Sequence, residues 1–187
     1  MNFKKLGEIA EIYNGLRITR YTNPENKEEK RVFTRKNKNN KLEYETQKIS
    51  TVDPKYYSQK NDIILHLPTF ECTLITNQTG IIIPQNYAII RTKNGCDPAY
   101  LYNILISKQF KQKLKRLSEG TILHIVKLNY LKTIKIKMIP YEEQQKYGKL
   151  MMKIDKKIEL EKEKIKKEEL IKNSIIQNKI GEKYVKI

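Results

Sequence analysis

The chain has 187 residues, room for one domain of ordinary size plus an appendage but not for two full domains. A hydrophobic fraction of 39% can build a core, and 38 Lys+Arg against 21 Asp+Glu leave a net charge of +17, a field that attracts polyanions. Two cysteines, Cys72 and Cys96, and two histidines offer no metal-ligand spacing, and no apolar run approaches the roughly 20 residues that span a bilayer. Nothing of signal-peptide length follows Met1-Asn2-Phe3-Lys4-Lys5. The expectation is a soluble, cytoplasmic protein with DNA, RNA or an anionic membrane as candidate partner.

An AT-rich genome would inflate Lys, Asn and Ile whatever the function, but here the charge is uneven. Residues 17–41 hold 9 Lys+Arg against 3 Asp+Glu, whereas residues 146–187 hold 13 against 7 in a mixed-sign pattern.

In chain order, residues 6–13 form a short apolar-rich element closed by the Asn14-Gly15 turn signal. Residues 17–41 are polar, basic and broken by Pro24, and read as a long exposed loop with one short strand around Val32-Phe33. Strands are expected at Asp62–Leu65, Gly80–Ile83 and Tyr87–Ile90, each rich in β-branched residues and bounded by turn formers. Asp97-Pro98 is a helix start, with Leu101, Ile104, Leu105, Leu114 and Leu117 at helical spacing as far as Gly120. Alternation from Lys132 to Met138 predicts a half-buried strand, with Ile134, Ile136 and Met138 inward. The body is therefore mixed, α+β.

Composition changes at Pro140. From Glu142 to about Lys179 only Gly148 interrupts strong helix formers. Ile154, Ile165 and Ile176 recur at eleven residues, as do Leu160 and Ile171, so one long helix carries an apolar stripe. Such a helix needs a partner surface, most simply another helix. The expected domains are 1–140, a globular body, and 141–187, a helical dimerisation and spacer arm with a coiled-coil-like contact. Leu150, Ile154, Ile158, Ile165, Ile171 and Ile176 are the expected interface; the alternative is a solvated or disordered tail, against which the regular spacing counts.

Catalytic signatures are missing. There is no Gly-rich phosphate loop, GxSxG, HExxH or Asn-Pro-Pro-Tyr-like motif, and Glu28-Glu29-Lys30 is a formal ExK that chance supplies in a Lys-rich chain. His66 and His124 read as packing or phosphate-contacting residues. The expectation is a chain that is not an enzyme and holds neither metal nor cofactor.

From Ser118 the sequence becomes specific. Ser118-Glu119-Gly120-Thr121-Ile122-Leu123-His124-Ile125-Val126-Lys127-Leu128-Asn129-Tyr130-Leu131, then Ile134, Ile136 and Ile139-Pro140-Tyr141-Glu142-Glu143-Gln144, resembles the end of a target recognition domain. The family is the specificity subunit of type I restriction–modification systems. Leu6-Gly7-Glu8-Ile9 and Gly15 resemble its start, Asp62-Ile63-Ile64 its Gly-Asp-Ile-Ile, and Tyr100-Leu101-Tyr102 its Tyr-Leu helix. Asn61 stands where the family usually has Gly, and Tyr141 where it usually has Leu. The chain has one recognition domain and one long helix, where the family usually has two of each, and so resembles a half-subunit.

The resemblance implies a domain that reads one half of a bipartite DNA target. It also implies a helix that spaces and pairs the halves, as a homodimer or with another half-subunit, and docks methyltransferase subunits. S-adenosylmethionine would belong to the methyltransferase subunit, and a restriction subunit is a further partner. The residues expected to bind DNA are Arg17, Arg20, Arg31, Arg35, Lys36, Lys38 and Lys41, Arg as a bidentate reader of guanine and Lys as a phosphate contact. Thr121, His124 and Lys127 are added because a Gly-Thr turn before a short helix offers donors to a phosphate. Against these stand solvated surface charges and turn-satisfying side chains. Competing functions are a non-enzymatic helical adaptor with non-specific nucleic-acid binding, an RNA-binding protein and a small nuclease.

Overall fold

A computed structural model describes residues 2–22, 28–36, 42–118 and 126–181. Lys38, Lys41, Thr121 and His124 lie outside the described residues. The elements begin with β1 (Asn2–Lys5), α1 (Leu6–Ile9), β2 (Ala10–Asn14), a 3-10 turn at Ile18–Arg20, β3 (Glu28–Lys36) and β4 (Leu42–Ile49). They continue with β5 (Ile63–His66), β6 (Cys72–Leu74), β7 (Tyr87–Thr92), α2 (Pro98–Leu105), α3 (Lys108–Ser118), α4 (Leu128–Thr133), β8 (Lys135–Met138) and α5 (Tyr141–Ile175). Two compact units divide the chain, residues 1–148 and 149–187. The fold is mixed α+β with a long C-terminal helix, as expected.

In the first unit β2, β7, β5 and β6 form an antiparallel sheet in that order. Ile63, Ile64 and Leu65 are all buried. Successive strand residues point to opposite faces, so a strand apolar at every position must be covered on both. One face, with Ile63, Leu65, Ala88 and Ile90, packs against Leu101, Leu105, Phe110, Leu114 and Leu131 of the helices. The other, with Ile64 and Ile89, packs against Phe33 and Leu42 of a β3–β4 hairpin. A third cluster joins Leu16, Val32, Ile49, Val52 and Ile82 at the hairpin's root. β1 and β8 pair separately, Lys4 opposite Ile136.

Three expectations are corrected. Part of the supposed basic loop is strand: β3 runs nine residues and pairs with β4 along its length, with a bulge between Phe33 and Arg35. Val32 and Phe33 are consecutive yet both buried, because the hairpin feeds a different core cluster from each face. The expected 97–120 helix is two helices. Asp97 caps the first through Tyr100 N at 2.8 Å, and Ser107 Oγ accepts from Phe110 N at 3.2 Å to start the second. Gly80–Ile83 forms bridges instead of a full strand: Ile82 pairs with Val32 on one side and Tyr57 on the other. The strand expected at the end of the body is there but begins at Lys135 and not at Lys132, because Lys132 and Thr133 close α4; Ile136 is buried and Lys135 and Lys137 are exposed.

Asp62 is buried at the entrance to β5. It accepts from Arg91 Nε and Nη2, both at 2.8 Å, and from Gln59 N at 2.7 Å. That bidentate hydrogen bond holds the Arg91 guanidinium above its ordinary pKa against the opposing effect of burial. The turn before it requires a left-handed residue, and Asn61 has φ +73. At the other end of the unit Gln144 is buried in the second turn of α5. It accepts from Asp97 N at 3.0 Å and donates to the carbonyls of Ile139 (2.8 Å) and Gly95 (3.3 Å). Gly148 follows one turn later, where a Cβ would lie 2.6 Å from Asp97 Oδ1. A helix-interior glycine costs about 1 kcal/mol relative to alanine, and this close approach is its reason.

Arg91→Leu leaves the buried Asp62 carboxylate without its counter-charge, with only the Gln59 N–H still bonded to it, and should cost about 3–5 kcal/mol in urea unfolding. Asp62→Leu combined with Arg91→Leu should recover part of that loss, because no isolated charge remains. A single-variant loss under 1 kcal/mol would contradict the role given to the pair.

Candidate nucleic-acid interface

The hairpin presents exposed cations on a buried root. Phe33 and Leu42 sit in the core beneath the sheet, and the Phe33 ring meets Tyr87 edge-on at 4.9 Å. Gln78 clamps the second strand by bonding both main-chain atoms of Leu42: its Oε1 accepts from the N–H at 2.7 Å and its Nε2 donates to the carbonyl at 3.0 Å. Ile82 N donates to Arg31 O, and Phe33 N to Ile82 O, which fixes the first strand as well.

Arg31 is exposed; its guanidinium lies 5.4 Å above the Tyr44 ring and donates to Thr79 O at 3.2 Å. The ring orients the group through its negative face while leaving guanidinium edges open. Arg35 is exposed too, but Glu43 on the neighbouring strand holds it in an ion pair. That hydrogen bond raises the Arg35 pKa. Lys36 ends β3 opposite Leu42. Arg17 and Arg20 are exposed at the 3-10 turn, which is tied to the end of β4 by Ser50 N donating to Tyr21 O at 3.0 Å. Upstream of that turn, directly after β2, only glycine fits at position 15, where a Cβ would lie 2.0 Å from Pro84 O.

Thus Arg17, Arg20, Arg31, Arg35 and Lys36 belong to one substructure. Lys127 does not: it is exposed at the start of α4, in the helical layer. Lys30, the lysine of the formal ExK, has its side chain largely covered and donates to Ser50 O at 3.1 Å. Nor is the hairpin as basic as the sequence window around β3 made it look. Its two strands also carry Glu28, Glu29, Glu43 and Glu45, and the register sets Glu29 opposite Lys48 and Glu43 opposite Arg35.

Sequence reasoning passed over a basic surface apart from the hairpin: in the helical layer, α3 carries Lys108, Lys111, Lys113, Lys115 and Arg116 with no carboxylate between residues 108 and 118. The signal was legible as an acid-free run, but the apolar spacing drew attention to the core face instead.

A family model described as the type I restriction modification DNA specificity domain matches residues 1–170. The chain belongs to that family. A comparison with curated protein sequences returns no match. Among solved structures, a chain from work on complex assembly and conformational transition of the type I R-M system is similar at 16% identity and TM-score 0.67. The alignment covers 92% of this chain and 43% of that one. The S subunit of a type I restriction–modification system from M. genitalium is similar at 15% identity and TM-score 0.61, over 98% and 46%. The HsdS subunit from Thermoanaerobacter tengcongensis gives 18% and 0.54, over 84% and 38%. This chain therefore spans less than half the length of the solved chains it matches.

The specificity-domain pattern now has physical reasons in this chain. Asn61 replaces the usual Gly at a left-handed position, where Asn is the least strained substitute. The Gln that ends the Ile-Pro-Tyr-Glu-Glu-Gln segment is Gln144, the buried anchor of α5.

An Arg35 that contacts phosphate has to leave the Glu43 carboxylate, so on that expectation Glu43→Gln should tighten binding to duplex DNA. It should also steepen the log–log salt dependence by roughly one unit, as one more phosphate contact forms. Titrations of labelled duplex between low and moderate salt read both; an unchanged slope would mean that Arg35 does not face phosphate.

Proposed function

We propose that the chain reads one half of a split DNA target and brings methyltransferase subunits to it, with no catalysis of its own. The observation that carries this reading is the rooted hairpin. A two-stranded ribbon fits the major groove, about 12 Å wide, and here one lifts Arg31 and Arg35 on a base held by Val32, Phe33, Leu42 and Ile49. Arginine matches the two acceptors of guanine, while Arg17, Arg20 and Lys36 supply phosphate contacts beside it. Lys38 and Lys41 follow in sequence between the two strands and extend the same basic stretch. Thr121, His124 and Lys127 are assigned a secondary phosphate contact.

The helix Tyr141–Ile175 is 35 residues, about 50 Å at 1.5 Å per residue. Leu150, Ile154, Ile158, Ile165 and Ile171 are exposed along it, and Ile176 directly after its end. We assign them to pairing with the same helix of a second copy, or of another half-subunit. Two-fold pairing of identical halves makes the target an interrupted palindrome whose gap the helix length sets. S-adenosylmethionine binds the methyltransferase subunit, a restriction subunit is a further partner, and the assembly works in the cytoplasm. Among the described residues no helix is long and apolar enough to cross a membrane.

Burial of each stripe residue contributes about 1.5–3 kcal/mol, so a charge there opposes assembly strongly. Ile154→Lys and Ile165→Lys should each shift the mass in analytical ultracentrifugation from dimer to monomer without lowering helix content. An unchanged dimer in both would remove the stripe from the interface.

A further inference from the structure

Between the helical layer and the β1–β8 pair lies a groove of about 710 Å³. Ile104, Phe110, Leu117, Ile134 and Ile136 line it, and Lys113, Lys135 and Lys137 stand exposed at its margin. No carboxylate is among the described residues that line it. Two local patterns build the site. On α3, Gln109, Lys113 and Leu117 recur every four residues and share a face, while Leu114 turns into the core and the nearly buried Phe110 forms part of the groove's floor. On β8, strand alternation sends Ile136 inward and leaves Lys135 and Lys137 outward. Tyr100 OH donates to Lys137 O at 2.9 Å and ties α2 to that strand.

We infer that this groove receives an acidic amphipathic segment of the methyltransferase subunit. The assignment rests on the function proposed above. Apolar side chains of the segment would fill the groove, and its carboxylates would meet the three lysines. Charge complementarity sets the partner: a second copy carries +17 and would place more cations against the lysines, whereas an acidic segment neutralises them. The apolar lining argues against a nucleic-acid backbone, which offers sugar and phosphate but no side chain to bury. A volume of this size suits a few anchoring side chains. The groove is also separate from the hairpin substructure, so DNA and this segment can bind together.

The test uses the full chain with Lys113→Glu, Lys135→Glu and Lys137→Glu combined, all exposed positions. The purified methyltransferase subunit of a type I system from the same genome and a labelled duplex of random sequence are the two titrants. Subunit affinity should fall at least tenfold and DNA affinity less than threefold, with the melting temperature held. A milder variant, Gln109→Glu, should weaken the subunit alone by a smaller factor. Equal subunit binding by wild type and triple variant would overturn the groove assignment and leave the function proposed above standing. A larger loss for DNA than for the subunit would make the groove a nucleic-acid surface and overturn it as well. A lowered melting temperature with unchanged subunit binding would mean that the chain's own residues occupy the groove. If the wild-type chain bound no methyltransferase subunit at all, the proposed function would fail and take this occupant with it.

Discussion

Ile64 and Ile89 point to the side of the four-stranded sheet that the helices do not cover, and that requirement shapes the candidate interface. Left open, this face would hold fully apolar strands against water. The hairpin closes it by burying Phe33 and Leu42, with Ile75, Ile81 and Ile83 filling in beside them. Covering the sheet and presenting Arg31 and Arg35 are thus two consequences of one packing event. A reader of base edges needs arginines held at a fixed height, and a root in the core holds them better than a solvated loop would.

The same economy operates at the start of α5. Gln144 satisfies two main-chain groups at the start of α2, Asp97 N and Gly95 O, and a third, Ile139 O, just before its own helix, and Gly148 lets the helix pass against the cap that Asp97 provides. The first two turns therefore belong to the body. Beyond them, in the second unit, the helix is long, charged and exposed on all sides, and its isoleucines have nothing within the unit to cover them.

Much of this was legible in the sequence. The runs at Ile63–Leu65 and Tyr87–Ile90, the alternation at Ile134–Met138 and the unbroken helix formers after Pro140 all produced the expected elements, because each depends on a local periodicity. The hairpin was not legible. Its four anchors, Val32, Phe33, Leu42 and Ile49, are spread over a stretch otherwise almost entirely polar or charged, and its pairing is non-local. The charge count misled for the same reason, since Glu43 and Glu45 come from the strand that the window left out. The break at Ser107 escaped because the apolar spacing continues across it. Gln144 stood in a segment noticed through its resemblance to a family, yet only the three-dimensional contacts give it a task. Gln78, which clamps Leu42, had no sequence signal at all.

The central claim is that this chain supplies sequence specificity to a methyltransferase. Co-expression with the methyltransferase subunit of a type I system from the same genome, followed by mapping methylated bases across a random-sequence plasmid pool, tests it most directly. The account predicts a split motif that disappears when this chain is omitted, palindromic if two identical copies pair and asymmetric if another half-subunit takes part. A complex that forms but methylates no defined motif would contradict it, and would favour a helical adaptor that contacts nucleic acid without reading it.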